Sequence, residues 1–540
     1  MCRVLSGPHL RRVEESGIAV QIILEEDRDL ELTVYREEKT LDLVCDIRKI
    51  KIAEKIYFYL IRAKLSMESK CLYHYDVSYK QNSIIKDLGL GLGESVQLPS
   101  FEFGAERILT GSCRNLSSCE DDYLAKMIDQ FDRPEMRPQM LILTGDQIYA
   151  DDLSEDLLLK IKSLSDKYAL TLPEKFNIKD RKKLCQSLGL TSAKSKNHLL
   201  SFGELIILYL LSWSYELWED GDQIVDKEDM QNIAKVFANV PVYMQMDDHD
   251  ISDDFKINEY WSAKLDNGAV EILANACAAG YLFQLMGNYL ESSDYEDLVL
   301  KYISSNSADD FDLMSRVVSE ADWSNKLKIA KKSFLFFDTR NFRLGGRDSK
   351  LPAGMMRVDK LKSMFREDLG EDLVIISPSP IYGYEHIEKL QSNLAFLPSS
   401  VPLIDREGWH AAELNSEELI SLNTLEECLS RCGANRILII SGDVHYSFIR
   451  RVDLAHVKIL QLVVSPLKNK PPLTLLARSG FSFYNTHSDD PNFMTSDHRC
   501  KIISHSNYCF LKLESEIEIS MYSRETEHKF NLDKMNNDLA

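Results

Sequence analysis

The amino-acid sequence predicts an α/β fold with parallel strands, preceded by a small β-sandwich. Three observations predict it. From residue 106 onwards, short apolar runs rich in β-branched residues alternate with helix-like stretches, the succession that parallel strands joined by crossovers require. Those runs end in turns carrying polar, chemistry-bearing residues, at the strand ends where open α/β sheets bind ligands. Ahead of them, residues 17–102 alternate apolar runs with polar breaks, the pattern of half-buried antiparallel strands.

The chain has 540 residues, 44% of them apolar and 28% charged, a composition ordinary for a soluble globular protein. That length predicts more than one domain and a large core. The division expected is residues 1–104 as the β-sandwich domain and 105–540 as the domain carrying the chemistry, C-terminal strands included. A formal charge of −21 disfavours nucleic acid as a partner, since phosphate binding needs a basic footprint. It does not exclude a locally positive site built by metal ions. Eleven cysteines, an odd number without paired spacings, suit a reducing compartment. The N-terminal run Met1-Cys2-Arg3-Val4-Leu5-Ser6-Gly7-Pro8 is too poor in apolar residues for a signal peptide. The most apolar segment, 205–215, is about half as long as a bilayer span. The expectation is a cytoplasmic protein with no transmembrane segment.

In chain order, Ile18-Ala19-Val20-Gln21-Ile22-Ile23-Leu24, Leu30-Glu31-Leu32-Thr33-Val34-Tyr35 and Lys55-Ile56-Tyr57-Phe58-Tyr59-Leu60 read as strands of the sandwich. The alternate glycines of Leu88-Gly89-Leu90-Gly91-Leu92-Gly93 mark a crossing. Arg107-Ile108-Leu109-Thr110 is a strand ending in Gly111-Ser112-Cys113-Arg114-Asn115, and a helix over 121–131 follows with acids in its first turn. Gln139-Met140-Leu141-Ile142-Leu143 is the next strand, ending in Thr144-Gly145-Asp146-Gln147-Ile148-Tyr149. Residues 155–198 form a Lys-rich, mostly helical excursion that reads as a solvated face, because its lysines have no aromatic interleaving. Residues 199–218 read as a helix apolar on nearly all sides, and so buried.

The apolar run beginning at Pro241-Val242-Tyr243-Met244 ends abruptly in Asp247-Asp248-His249-Asp250, with Asp253 and Asp254 close behind. A helix over 267–288 follows, its Ala274, Ala276, Ala278 and Ala279 allowing close packing. Strands over 333–337, 373–376 and 436–440 end in Asp338-Thr339-Arg340-Asn341-Phe342-Arg343, Ser377-Pro378-Ser379-Pro380 and Ser441-Gly442-Asp443-Val444-His445-Tyr446-Ser447. Residues 508–522 alternate again and should pair antiparallel.

Buried strands do not end in so much negative charge without a positive partner, and a metal cluster is the most economical one. Separate strand ends deliver Cys113, Asp146 with Tyr149, Asp248 with His249, and Asp443 with His445, and in one sheet those ends converge on one edge. Carboxylates are hard oxygen donors and imidazole suits transition metals, whereas thiolate and phenolate favour a strongly Lewis-acidic ion such as ferric iron. A carboxylate shared by two ions holds them about 3.5–4 Å apart, and such a pair can bind a phosphate ester and activate a water for in-line attack. Each residue also has a plainer reading. Cys113 alone is a small buried hydrophobe, Tyr149 a core residue, and each histidine a hydrogen-bond partner of neighbouring acids. Gly-Asp turns are common, and an acid run can be solvated. Of Arg340 and Arg343, one, with Arg340 preferred, offers a guanidinium fork to a phosphate, Arg340 being oriented by Asp338; the alternative is a surface salt bridge. His198, His386, His487, His498 and His505 read as structural or exposed.

In these motifs the chain resembles the alkaline phosphatase D (PhoD)-like metallophosphatases, of the calcineurin-like metallophosphoesterase superfamily, over nearly its whole length. The carriers are the Gly7-Pro8-His9-Leu10-Arg11 opening, Gly145-Asp146-Gln147-Ile148-Tyr149-Ala150-Asp151-Asp152, Asp247-Asp248-His249-Asp250, Asp338-Thr339-Arg340, Ser377-Pro378-Ser379-Pro380 and Ser441-Gly442-Asp443-Val444-His445-Tyr446-Ser447-Phe448. The resemblance implies a four-layer α/β/β/α core with Cys113 and Tyr149 on a ferric (Fe3+) ion and Asp146 bridging to one or more further ions, calcium (Ca2+) among them. It implies Asp248, Asp443 and His445 as further metal ligands and His249 facing the leaving-group or transition-state oxygens. Asp248 stands where the wider superfamily has an asparagine, and Asp253-Asp254 where some members have asparagines. The best-known members are exported, whereas this chain shows no export signal. The function implied is hydrolysis of small phosphomono- or phosphodiesters by a metal-activated hydroxide, with His249 and Arg340 as catalytic residues and Asp247 and Asp250 in support. The alternative is a catalytically inactive scaffold of the same fold, a class that usually loses ligands; here every expected ligand type is present.

Overall fold

Two six-stranded sheets packed face to face form the centre of the structure. The computed structural model describes residues 3–93, 97–133, 136–170, 181–188, 190, 195–253, 255, 269–305, 310–342, 354–383, 420–454, 457–470, 492–498, 501–524 and 526–530. The first central sheet runs, edge to edge, Val242–Met244, Met140–Leu143, Arg107–Gly111, Tyr508–Leu513, Ile517–Ser523 and Thr526–Phe530. Its first three strands are parallel and its last three antiparallel. The second runs Asn325–Ile329, Lys332–Phe336, Asp372–Ser377, Arg436–Ser441, Val457–Val463 and Phe448–Leu454, with four parallel central strands between antiparallel edges.

The two-residue period of each strand decides the layers. Ile108, Met140, Ile142 and Tyr243 of the first sheet meet Phe334, Phe336, Val374, Ile376, Leu438 and Ile440 of the second between the sheets. Their alternates Leu109, Leu141, Leu143, Val242 and Met244 pack under the helices Phe202–Trp213, Lys227–Asn239 and Val270–Gly280. On the opposite outer face, Leu335, Leu373, Ile375, Ile437 and Ile439 pack under Val358–Met364 and Ile420–Arg431. The result is a four-layer α/β/β/α sandwich. Apolar burial on both faces of the parallel strands explains their near-continuous apolar sequences.

Two antiparallel sheets precede it. One is ordered Val4–Glu14, Gly17–Leu24, Ile56–Lys64 and Val44–Ala53. The other runs Lys39–Thr40, Leu30–Arg36, Leu72–Tyr79 and Asn82–Ser83, with Ser100–Glu102 also paired to Leu72–Tyr79. Val20 and Ile22 of the first face Val34, Tyr75 and Val77 of the second, as a sandwich requires. Ala19 and Ile23, on the other face of Gly17–Leu24, join the cluster of the helical layer, so all eight residues of that strand are buried. The opening strand Val4–Glu14 is one the sequence pattern did not single out, because His9 and Arg11 interrupt its apolar run; both are fully buried.

Several elements differ from their sequence expectations. The helix expected over 121–131 is an α turn, Tyr123–Lys126, capped by Asp122 and tightened into a 3-10 turn over Met127–Phe131. The apolar helix shortens to Phe202–Trp213, where Ser201 and Glu204 form a capping box. In the Lys-rich excursion, Glu155–Lys167 and Arg181–Leu188 are helical, while residues 171–180 lie outside the described set. The helix expected over 267–288 is α over Val270–Gly280, then a π turn over Tyr281–Leu285 and a 3-10 turn over Met286–Asn288. Val270–Asn288 is long and apolar enough for a membrane span, yet 94% of its most apolar window is buried inside the protein, so here it serves as a core helix.

Candidate metal centre

The strand ends at the two sheets' common edge turn sharply, and the turns set the side chains. Cys113, Asp146, Asp443 and His445 have φ of 58°, 54°, 71° and 58°, the left-handed region that non-glycine residues rarely occupy. Such backbone clusters at functional sites. Gly145, with φ 115°, lies so close to the next loop that a Cβ there would stand 2.6 Å from Cβ of Asp247. Its missing side chain lets the Asp146 and Asp247 turns touch.

Asp146 is the common member of the cluster. One ligating atom each from Cys113, Asp146 and His445 lies within 4.8 Å of the others, as in Asp146, Asp248 and His249, and in Asp146, Asp247, Asp248 and Asp443. Tyr149 closes one end. Its hydroxyl is 3.3 Å from Oδ2 of Asp146 and 2.9 Å from Nε2 of His445, and Sγ of Cys113 is 3.5 Å from the same Asp146 oxygen. Every ligand candidate named from the sequence therefore stands in this one cluster.

Supporting residues fix the turns. Asp250 accepts backbone N–H bonds from Asp146 (3.1 Å), Gln147 (3.0 Å), Ile148 (3.1 Å) and Asp247 (2.9 Å). It also accepts one from Nε2 of Gln284 at 2.8 Å. Asp338 takes the backbone N–H groups of Arg340 and Asn341 on one oxygen and that of Trp323 on the other. Arg340 is fully buried, so the surface-salt-bridge alternative does not hold. Its Nε donates to Asp247, Nη2 donates to Asp248 at 3.0 Å, and Nη2 lies 3.9 Å from Asp443.

Among the described residues one guanidinium faces this set of acids. Burial first, and the charge of Asp248 next, push the Asp146 carboxyl well above the usual carboxylate range. Burial and Asp247 raise Asp443 to about 7 against the pull of Arg340. Burial and nearby acids also raise the Cys113 thiol and the Tyr149 phenol, Tyr149 feeling Cys113 as well, while burial and the neighbouring His249 lower His445 to about 4. For His249 burial works against the charged form, but Asp151 and Asp248 outweigh it and raise its pKa. Oδ1 of Asp146 is buried, with no hydrogen-bond partner among the described residues. A buried carboxylate oxygen without a donor, in a nest of mutually repelling acids with imidazole, thiol and phenol beside it, is what a cation would satisfy. The residues fit a metal centre.

The sequence reading gave two supporting residues no role. Asp151 binds Nδ1 of His249 at 3.0 Å, and Gln284 binds Asp250; one lay within an acid-rich turn, and the other was a lone amide in an apolar helix. Asp253 donates its backbone N–H to Asp151. His198 is buried, with Nδ1 2.6 Å from the Leu199 carbonyl, and His498 is exposed. The backbone carbonyl of His505 accepts from Asn507. Asp254, Arg343, His386 and His487 lie outside the described residues.

No family model matches the sequence, and no curated protein matches it. The layers form an α/β/β/α sandwich whose strand ends carry the cluster. A solved structure of PhoD is similar over 97% of this chain and 91% of that one, with a TM-score of 0.56 at 11% identity. The chain has the PhoD-like fold.

Proposed function

We propose that the protein is a metal-dependent phosphoesterase acting on small phosphomono- or phosphodiesters. The observation that carries the reading is the membership of Asp146 in all three ligand groups, the arrangement a bridging carboxylate needs. Cys113, Tyr149 and His445 would hold an ion on one side of it, where thiolate and phenolate suit ferric iron. Asp248 and Asp443, with Asp247 beside them, would hold another through oxygen alone, which suits calcium. Such ions, when bound, polarise the ester and lower the pKa of water.

The chain's own groups do the rest. Asp151 fixes His249 through Nδ1, leaving Nε2 to give a proton to the departing ester oxygen. Arg340, anchored on Asp247 and Asp248, brings its guanidinium to a phosphate held against the cluster. Asp250 keeps the Asp146 and Asp247 turns in register. The proposed setting is reducing and cytoplasmic, on the sequence ground of an odd number of cysteines without paired spacings.

The test is metal analysis of purified protein together with hydrolysis of p-nitrophenyl phosphate and bis(p-nitrophenyl) phosphate, before and after loading with iron and calcium. Bound metal with metal-dependent hydrolysis is expected. Neither metal nor hydrolysis under any loading condition overturns the reading.

A further inference from the structure

Arg11 is fully buried, and among the described residues none of its hydrogen-bond partners is a carboxylate. A buried charge without a counterion is costly, so its partners matter. Nη1 donates to the Phe283 carbonyl at 2.8 Å, and Nη2 to the Gln284 carbonyl at 2.5 Å and to Oδ1 of Asn288 at 3.1 Å. These groups lie in the π and 3-10 turns that end Val270–Asn288, where a helix exposes unpaired carbonyls and the negative end of its dipole.

Two more arginines of the N-terminal sheet reach the same end. Arg12 donates to the Asn288 carbonyl at 2.8 Å, and Arg62 to those of Tyr289 at 3.0 Å and Met286 at 3.4 Å. Three guanidiniums from one sheet thus grip one helix end.

That end carries Gln284. Its carbonyl accepts from Arg11, while its side-chain Nε2 donates to Asp250 at 2.8 Å and to the Tyr209 hydroxyl at 2.9 Å. Asp250 in turn holds the backbone of Asp146 and Asp247. One residue therefore spans from a buried cation to a buried anion, and π turns recur where a helix is adapted to function.

We propose that Arg11 and Gln284 are positioning residues of the metal centre, through which the N-terminal sheet sets Asp250 and the ligand turns. The inference rests on the metal-centre reading above. The other donors to Asp250 among the described residues are backbone amides of the same two turns it organises; Gln284 ties it to a different layer. Without that amide the carboxylate keeps its turns but loses its anchor to the helix, and ligand atoms drift from a common focus.

The experiment titrates Co2+ into the full-length apoprotein, followed by visible absorbance and thiolate charge transfer, alongside thermal melting of the same samples. Gln284→Met, which keeps length and loses the amide, and Arg11→Met should each weaken Co2+ binding by about tenfold or more, the usual effect of losing an outer-shell partner. The double variant should bind no more weakly than the worse single one. Phe283→Leu, on the same turn, should lower the melting temperature and leave Co2+ affinity unchanged. Wild-type affinity in Gln284→Met overturns the inference, as does a loss that merely tracks melting temperature through Phe283→Leu. Gln284→Met decides alone where Arg11→Met fails to fold. If the wild-type protein binds no Co2+, it is the metal-centre reading that falls.

Discussion

Asp151 grips His249 with both carboxylate oxygens, 3.0 and 3.1 Å from Nδ1. A carboxylate only accepts, so Nδ1 carries the proton and Nε2 is the nitrogen left for the site. Asp151 is itself fixed by the Asp253 backbone N–H at 2.7 Å, and Tyr149 stacks on the imidazole with ring centroids 4.4 Å apart. In Asp151→Asn the amide can turn its NH2 group to Nδ1 and select the wrong tautomer. Turnover should fall by about 10- to 100-fold while metal content stays at the wild-type level, as steady-state kinetics and elemental analysis of the same preparation will show.

Asp146 belongs to every ligand group, so Asp146→Asn should lose metal and hydrolysis together while its circular dichroism spectrum stays that of the wild type. The same change removes one of several buried, mutually repelling acids. In chelator the variant should therefore melt no lower than the wild type, and added metal should raise the melting temperature of the wild type alone. That pairing of lost function with retained stability marks a ligand rather than a core residue.

The parallel strands and the ligand cluster were legible because their signals are local, whereas the four-layer stacking came only with the family resemblance. Leu141-Ile142-Leu143 before Gly145-Asp146, and Ile437-Leu438-Ile439-Ile440 before Gly442-Asp443, announce buried strands ending in polar turns. The strands Asn325–Ile329 and Phe448–Leu454 were not legible. They are edges whose Lys326, Lys328, Arg450 and Arg451 resemble loop residues, and their pairing supplies what local propensity lacks. Val457–Val463 was hidden by Gln461, a buried amide whose partners, the backbone of Ile381 and Tyr382, come from a distant loop. Asp151 and Gln284 escaped for the same reason: their roles exist only in tertiary contact.

Arg62 and Glu296 form a buried ion pair between the N-terminal sheet and the helix Asp294–Ser304, at 2.5 and 3.1 Å with side chains 3% and 0% exposed. Glu296 also pairs with the part-exposed Arg48 at 3.2 Å, whereas Arg62 has no other carboxylate among the described residues, so removing Glu296 strands the Arg62 charge. Glu296→Leu should cost about 3–5 kcal/mol in urea unfolding. The double change Arg62→Met with Glu296→Leu should cost less than that single one, because no stranded charge remains at Arg62.

His9 should make the protein acid-sensitive. Its ring is fully buried, edge-on to Trp213 at 5.8 Å and Phe237 at 5.3 Å between centroids, and Nδ1 has no hydrogen-bond partner among the described residues. Burial first, and the charge of Arg11 next, depress its pKa from 6.5 to about 3. An unfolded chain takes up that proton as pH falls through about 6.5, whereas the folded protein refuses it until about 3. The contribution is thus complete above the unfolded value and is lost as pH falls through the window, at up to about 1.4 kcal/mol per pH unit. Asp229, raised to about 6 by burial and by Asp122, acts in the opposite sense, losing its contribution as pH rises. It is present in both proteins, so the difference between wild type and His9→Phe isolates the histidine. Urea unfolding in chelator, from about pH 7 down to about pH 4.5, should show the variant gaining stability relative to wild type as the solution is acidified. Parallel stability curves would place the acid sensitivity elsewhere.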